Sequence, residues 1–99
     1  MRDLIFHPAV VKDARAISAK YSGISEELAA RFWNELDTAI DEIARFPERH
    51  HYDPSGLRRS NLEKFPYHHL IEERLEGLRV IVLRHHHRNP SYGLRRANR

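Results

Sequence analysis

The sequence lacks cysteine altogether. That excludes a disulfide framework and a thiolate-held metal, and it fits a reducing compartment. Also missing is any apolar run near the roughly 18 residues of a membrane span, and Met1-Arg2-Asp3-Leu4 has no apolar segment of the signal-peptide kind. A soluble, cytoplasmic protein with no membrane partner is the expectation. There are no internal repeats or low-complexity stretches, and 99 residues make one domain, 1–99, with a modest core. A partner that covers apolar surface would therefore matter to such a chain.

Carboxylates are the most unevenly distributed deficit, since none follows Glu76. Residues 1–55 carry 7 Lys and Arg against 10 Asp and Glu, a balance of −3, whereas residues 56–99 carry 10 against 4, a balance of +6. A one-sided basic segment of this kind, with eight histidines uncounted, points to an anionic partner, either nucleic acid or an acidic protein.

The stretch around which the rest is organised runs from Leu57 to Tyr92. Val80-Ile81-Val82-Leu83 is a continuous apolar run with Gly77 behind it and Pro90 ahead, the pattern of a strand buried on both faces. It leads directly into Arg84-His85-His86-His87-Arg88-Asn89-Pro90-Ser91-Tyr92, so imidazoles, guanidiniums and a phenol sit at the end of a stiff element. Phe65 to Ile71 is predicted as its hairpin partner, with a turn around Glu76-Gly77. Glu72 and Glu73 are then placed to pair across the hairpin with Arg79 or Arg84.

Leu4-Ile5-Phe6 reads as a short strand ended by His7-Pro8. Pro8 suits a first helical position, and Val10, Ala14, Ile17 and Tyr21 follow at helical spacing, with Lys12, Asp13, Arg15 and Lys20 mostly on the opposite face. Ser22-Gly23 ends this helix. Ser25 is the predicted N-cap of a second one, with Glu26 and Glu27 at its positive end. Leu28, Phe32, Leu36, Ala39, Ile40 and Ile43 form its apolar stripe, which stops before Pro47. Trp33 lies off that stripe. A polar loop from Pro47 to Gly56 follows, and Leu57 to Leu62 opens the sheet. The order is strand, helix, helix and three antiparallel strands, an α+β pattern. Adjacent His50 and His51 cannot chelate through one face, and His85 with His87 has no third ligand, so neither a metal nor another cofactor is expected.

Phe6-His7-Pro8-Ala9, Phe46-Pro47-Glu48-Arg49, Gly56-Leu57-Arg58-Arg59, Phe65-Pro66-Tyr67 and His85-His86-His87-Arg88-Asn89-Pro90 occur in that order. Together they resemble the RelE/ParE superfamily of type II toxin-antitoxin toxins, which includes plasmid stabilisation proteins, over nearly the whole chain. The resemblance implies an N-terminal strand and a two-helix hairpin packed on a twisted antiparallel sheet, and neutralisation by a cognate antitoxin that wraps across the toxin. One branch of the superfamily cleaves messenger RNA in the ribosome and another poisons DNA gyrase. The chain departs from the usual pattern after Phe-Pro-Tyr, where His68, His69, Leu70, Ile71 and Glu72 replace an Arg, two aliphatics and a Tyr-Arg pair.

Metal-independent RNA cleavage needs a base for the 2′-hydroxyl, an acid for the leaving oxygen and cations for the developing charge. Arg59 and Arg88 are the candidate phosphate clamps. His68, His85 and His87 are the candidate proton shuttles, and Tyr92 is a candidate acid, base or stacking platform. Strand alternation sends His85 and His87 to one side and His86 to the other. Trp33, Arg58, Arg59 and Arg88 are the candidate antitoxin contacts. Growth inhibition by ribosome-dependent messenger RNA cleavage is the first expectation. Gyrase poisoning without nuclease activity, or a non-toxic interaction module, is the alternative.

Overall fold

The structure, a computed structural model, describes residues 3–97. The elements run β1 (Leu4–Phe6), α1 (Pro8–Ser22), α2 (Glu26–Arg45), a 3-10 turn (Pro47–Arg49), β2 (Arg58–Asn61), β3 (Tyr67–Arg74), β4 (Gly77–His85) and a second 3-10 turn (Leu94–Arg96). None of the described helices is long and apolar enough to cross a membrane.

Both helices start where the sequence signals predict. Pro8 opens α1, and His7 serves as its N-cap through an Nδ1 that accepts the Ala9 N–H at 3.0 Å. Ser25 Oγ accepts the Leu28 N–H at 3.1 Å and so caps α2. The two apolar stripes meet the sheet in a nest of aromatic rings. Tyr21 lies 5.5 Å from Phe32, 5.0 Å from Phe65 and 6.3 Å from Tyr67, centroid to centroid. Burial first, then Tyr67, pushes the Tyr21 hydroxyl up to about 12.

The sheet order is β1-β4-β3-β2, so β4 is interior, as its apolar run requires. β2, β3 and β4 are antiparallel neighbours. The N-terminal strand β1 joins these three by pairing in parallel with β4 through Leu4↔Leu78 and Phe6↔Val80, which makes the sheet mixed. Parallel pairing needs a long crossover, and the helices and the β2–β3 hairpin supply it. A register shift at Leu70/Ile71 leaves Ile81 without a direct partner between the pairs Leu70↔Val82 and Ile71↔Val80. As a result Ile81, Val82 and Leu70 form one apolar patch on the side away from the helices, covered by Leu57, Tyr92, Leu94 and Ala97. Gly93 makes that cover fit. Its φ is +82°, and a Cβ there would lie 2.5 Å from Val82 Cγ2.

Candidate functional site

Because β1 ends at Phe6, the backbone of β4 beyond Val80 has no strand on that side. Side chains complete the edge instead. Asp13 Oδ2 accepts the Leu83 N–H at 3.1 Å, and Arg96 Nη1 donates to the Ile81 carbonyl at 2.9 Å. Arg96 also binds Asp13 at 2.6 Å, and the Tyr92 hydroxyl donates to Asp13 Oδ1 at 2.7 Å. Burial opposes the Arg96 charge, but the Asp13 hydrogen bond and charge outweigh it and raise its pKa further. Asp13 is therefore buried at the centre of a network, not on the polar face of α1. The signal was available, since position 13 falls three residues after Val10 and four before Ile17, inside the apolar stripe.

The face away from the helices carries a second network, whose protonation follows from its donors. Arg84 can only donate, and its Nε lies 2.9 Å from His68 Nε2, so that nitrogen holds a lone pair. His68 Nδ1 then carries the hydrogen and donates across 3.0 Å to His86 Nδ1. Arg59 Nη2 approaches the same His86 nitrogen at 3.3 Å. The two imidazoles stack nearly parallel, at 10°, with both rings neutral. Burial, reinforced by Arg59 and Arg84, pulls His68 down to about 3; burial and then Arg59 lower His86 as well. Asp53 closes the network 3.4 Å from Arg59 and 3.8 Å from Arg84. Burial alone would push its carboxyl up, but Ser55 and the two arginines leave it below the ordinary range.

His68, a candidate proton shuttle, is 1% exposed and accepts the Arg84 donor on Nε2, an arrangement that favours the neutral ring. Arg84 does not pair with Glu72 or Glu73; it points into the network and donates to the Pro90 and Tyr92 carbonyls at 2.7 and 3.1 Å, which anchors the loop after β4. Glu72 approaches Arg79 at 3.9 Å, as expected, while Glu73 binds Arg58 and the Tyr52 hydroxyl.

His85 turns the other way, beside Tyr67, and with Arg88 and Tyr92 it lines a cavity of about 230 Å³ against Asp13, Ala16, Ile17 and Lys20 of α1. His87 sits on the exposed turn, its ring 5.4 Å from that of His85. The fold thus brings His85, Arg88 and Tyr92 together, whereas Arg59 and His68 belong to the opposite face. Trp33 lies in the α1–α2 seam, where its indole donates to Ser18 Oγ at 2.7 Å. Arg58, on the outer strand, lies over the Tyr52 ring at 4.3 Å and donates to the His50 carbonyl.

A model of the family described as ParE toxin of type II toxin-antitoxin system, parDE, matches residues 4–90. The chain belongs to the ParE toxin family. A solved structure titled "Chromosomal ParDE TA system from P. aeruginosa" is similar to this chain with a TM-score of 0.75, covering 86% of this chain and 96% of that chain at 18% identity. That likeness concerns the fold. A comparison with curated proteins gave no match. In this ParE-family chain the match ends at Pro90, so Tyr92, Gly93 and Arg96, which close the edge and patch of β4, lie beyond it.

Proposed function

We propose that this chain is the toxin of a type II toxin-antitoxin module, neutralised by a cognate antitoxin, and that it arrests growth by holding a macromolecular target and not by cutting RNA. DNA gyrase, the target of one branch of the superfamily, is the target this reading takes. The observation that carries this reading is the commitment of two of its proton-carrying candidates. His68 is buried and held neutral, and the Tyr92 hydroxyl is bound to Asp13 and Arg96. A general acid–base pair must reach the reacting oxygens, and neither group is free to do so. Holding a target needs only an exposed cationic surface with a rigid backing, which Arg88 on Tyr92 supplies.

The test is induced expression followed by two assays on the same culture. Growth arrest with whole transcripts, together with cleaved DNA complexes accumulating on purified gyrase, is the expected result. Transcripts shortened within reading frames and no trapped gyrase would return the function to messenger RNA cleavage, with His85, His87 and Arg88 as the groups to examine first. Normal growth under strong induction would remove the toxin reading itself.

A further inference from the structure

An unpaired strand edge is a template for another strand, and most of this sheet's edge is covered. Beyond Val80, β4 is closed by Asp13 and Arg96. At β2 the preceding loop lies alongside, with the Arg59 N–H donating to the His51 carbonyl at 2.9 Å and Tyr52 bridging to Arg58. Among the described residues β1 has no such cover. We infer that β1 is the pairing edge for a second copy of this chain, joined antiparallel about a two-fold axis at Ile5, so that two sheets become one. The toxin reading plays no part in this inference.

Backbone geometry is the first argument. The Leu78 N–H donates to the Asp3 carbonyl and the His7 N–H to the Val80 carbonyl, both at 2.9 Å, so Asp3, Ile5 and His7 turn their backbone groups towards β4. Leu4 and Phe6 therefore turn theirs outward. In an antiparallel register centred on Ile5, Leu4 of each copy faces Phe6 of the other as a hydrogen-bonded pair, and the two-fold axis repeats it. Ile5 then meets its own copy in the closely spaced pair between them. Apolar surface is the second argument. Ile5 is 48% exposed on one face of β1, and Phe6 is exposed on the other, where Leu4 packs against Val10 and Ile43. Strand pairing removes both from water.

Charge complementarity is the third, and it favours a copy over a foreign strand. The same register sets the exposed Asp3 of one copy opposite His7 of the other. His7 Nδ1 already accepts the Ala9 N–H at 3.0 Å, so the ring hydrogen sits on Nε2 and can be donated to a carboxylate. Arg79, the β4 neighbour of Ile5, adds a positive charge on that face. The copy thus supplies an acceptor for His7 and a donor for Asp3 at both ends of one register. A strand of 3 residues buries less than the roughly 1,200 Å² of a stable interface, so the association depends on concentration.

Sedimentation equilibrium of the full chain between about 10 µM and about 1 mM should show reversible exchange of monomer and dimer. Ile5→Lys sets two ammonium groups on the axis and should weaken the dimer about tenfold or more. The chain has no cysteine, so Ile5→Cys offers a single crosslinking thiol. The closely spaced pair brings the two Cα atoms to about 4.5 Å, within disulfide range. Under mild oxidation Ile5→Cys should therefore give a linked dimer far faster than Leu75→Cys, placed on the exposed β3–β4 turn. Amide hydrogen exchange at Leu4 and Phe6 should slow as concentration rises. Ile5 is exposed, and unchanged nuclear magnetic resonance spectra of the dilute variants would confirm that they fold. A chain that stays monomeric, a dimer indifferent to Ile5→Lys, equally fast crosslinking through position 75, or protection arising on another element would each overturn the assignment. Growth arrest is read independently of these measurements, so a failed dimer and a failed toxin reading are told apart.

Discussion

Arg84 and Arg88 stand four residues apart, carry the same side chain and share the basic segment that closes the sequence, yet the fold gives them opposite tasks. Arg84 lies inside the strand, with its guanidinium buried among His68, Asp53 and two carbonyls. Arg88 lies on the exposed turn and rests on an aromatic ring. The histidines repeat the contrast, with His86 stacked on His68 on one face and His85 beside Tyr67 on the other. A run of like residues crossing the end of a strand is sorted by the pleat into a structural set and an available set, and composition alone cannot distinguish them.

Removing the buried member should have the largest effect. Arg84→Met takes the donor from His68 Nε2, Pro90 and Tyr92 and leaves Asp53 with one cation fewer, at a cost of about 3–5 kcal/mol. Set against the roughly 5–15 kcal/mol available to a small domain, that should abolish much of the cooperative transition in urea. A loss below about 1 kcal/mol would show that the two sets do not differ in kind.

Acid should weaken the same interior. In the unfolded chain His68 and His69 gain a proton near their ordinary 6.5, whereas in the fold burial, joined for His68 by Arg59 and Arg84, holds them down to about 3 and about 4. Below 6.5 the unfolded state binds more protons, so this stability is present above 6.5 and is lost as the pH falls through 6.5 towards the folded values. Between pH 7 and pH 5 each histidine should remove about 2 kcal/mol. Calorimetry across that range should show a falling melting temperature, and His69→Leu should flatten the slope. His69 is the better choice for this variant, because its buried Nδ1 has no partner to lose.

Much of this arrangement was legible in the sequence, and the unread remainder has a common cause. The helices, the Ser25 cap, the Gly77 turn and the interior place of Val80 to Leu83 all follow from local spacing and turn chemistry. The parallel pairing of β1 with β4 joins residues more than seventy positions apart, and no local pattern carries such a register. Seventy positions separate Asp13 from Leu83, so the helix stripe can place Asp13 inward without showing what it binds. In the sequence alone His68 looks like a functional group and Arg84 like a cross-strand partner, because a polar residue in a strand pattern defaults to the solvent side. Here each buried polar group supplies the partner for another, and that pairing becomes visible only after the strands are aligned. Lys20 belongs by spacing to the polar face of α1, and a lone lysine on a helix gives no signal that β4 and the loop after it lie beside it.

A smaller test concerns a feature that was legible. Ser25→Ala removes the acceptor for the Leu28 N–H and should cost about 1 kcal/mol. Its urea midpoint should fall without a change in slope, because the helix hairpin remains packed.

The smallest effect on stability is expected at Arg88, where the comparison is sharpest. Its guanidinium is exposed and has no carboxylate partner among the described residues, and its contact with Tyr92 is the kind that contributes about 0.5–1 kcal/mol at the surface. Arg88→Ala should therefore move the urea midpoint by an amount close to experimental error, and Tyr92 should stay in place because Asp13 and Arg96 hold its hydroxyl. Growth arrest, by contrast, should be largely relieved, since the exposed cation is what a target or an antitoxin meets first. Soluble, normally folded Arg88→Ala protein that arrests growth as strongly as the parent would move the interaction surface elsewhere, with Arg58 on the outer strand as the next position to change.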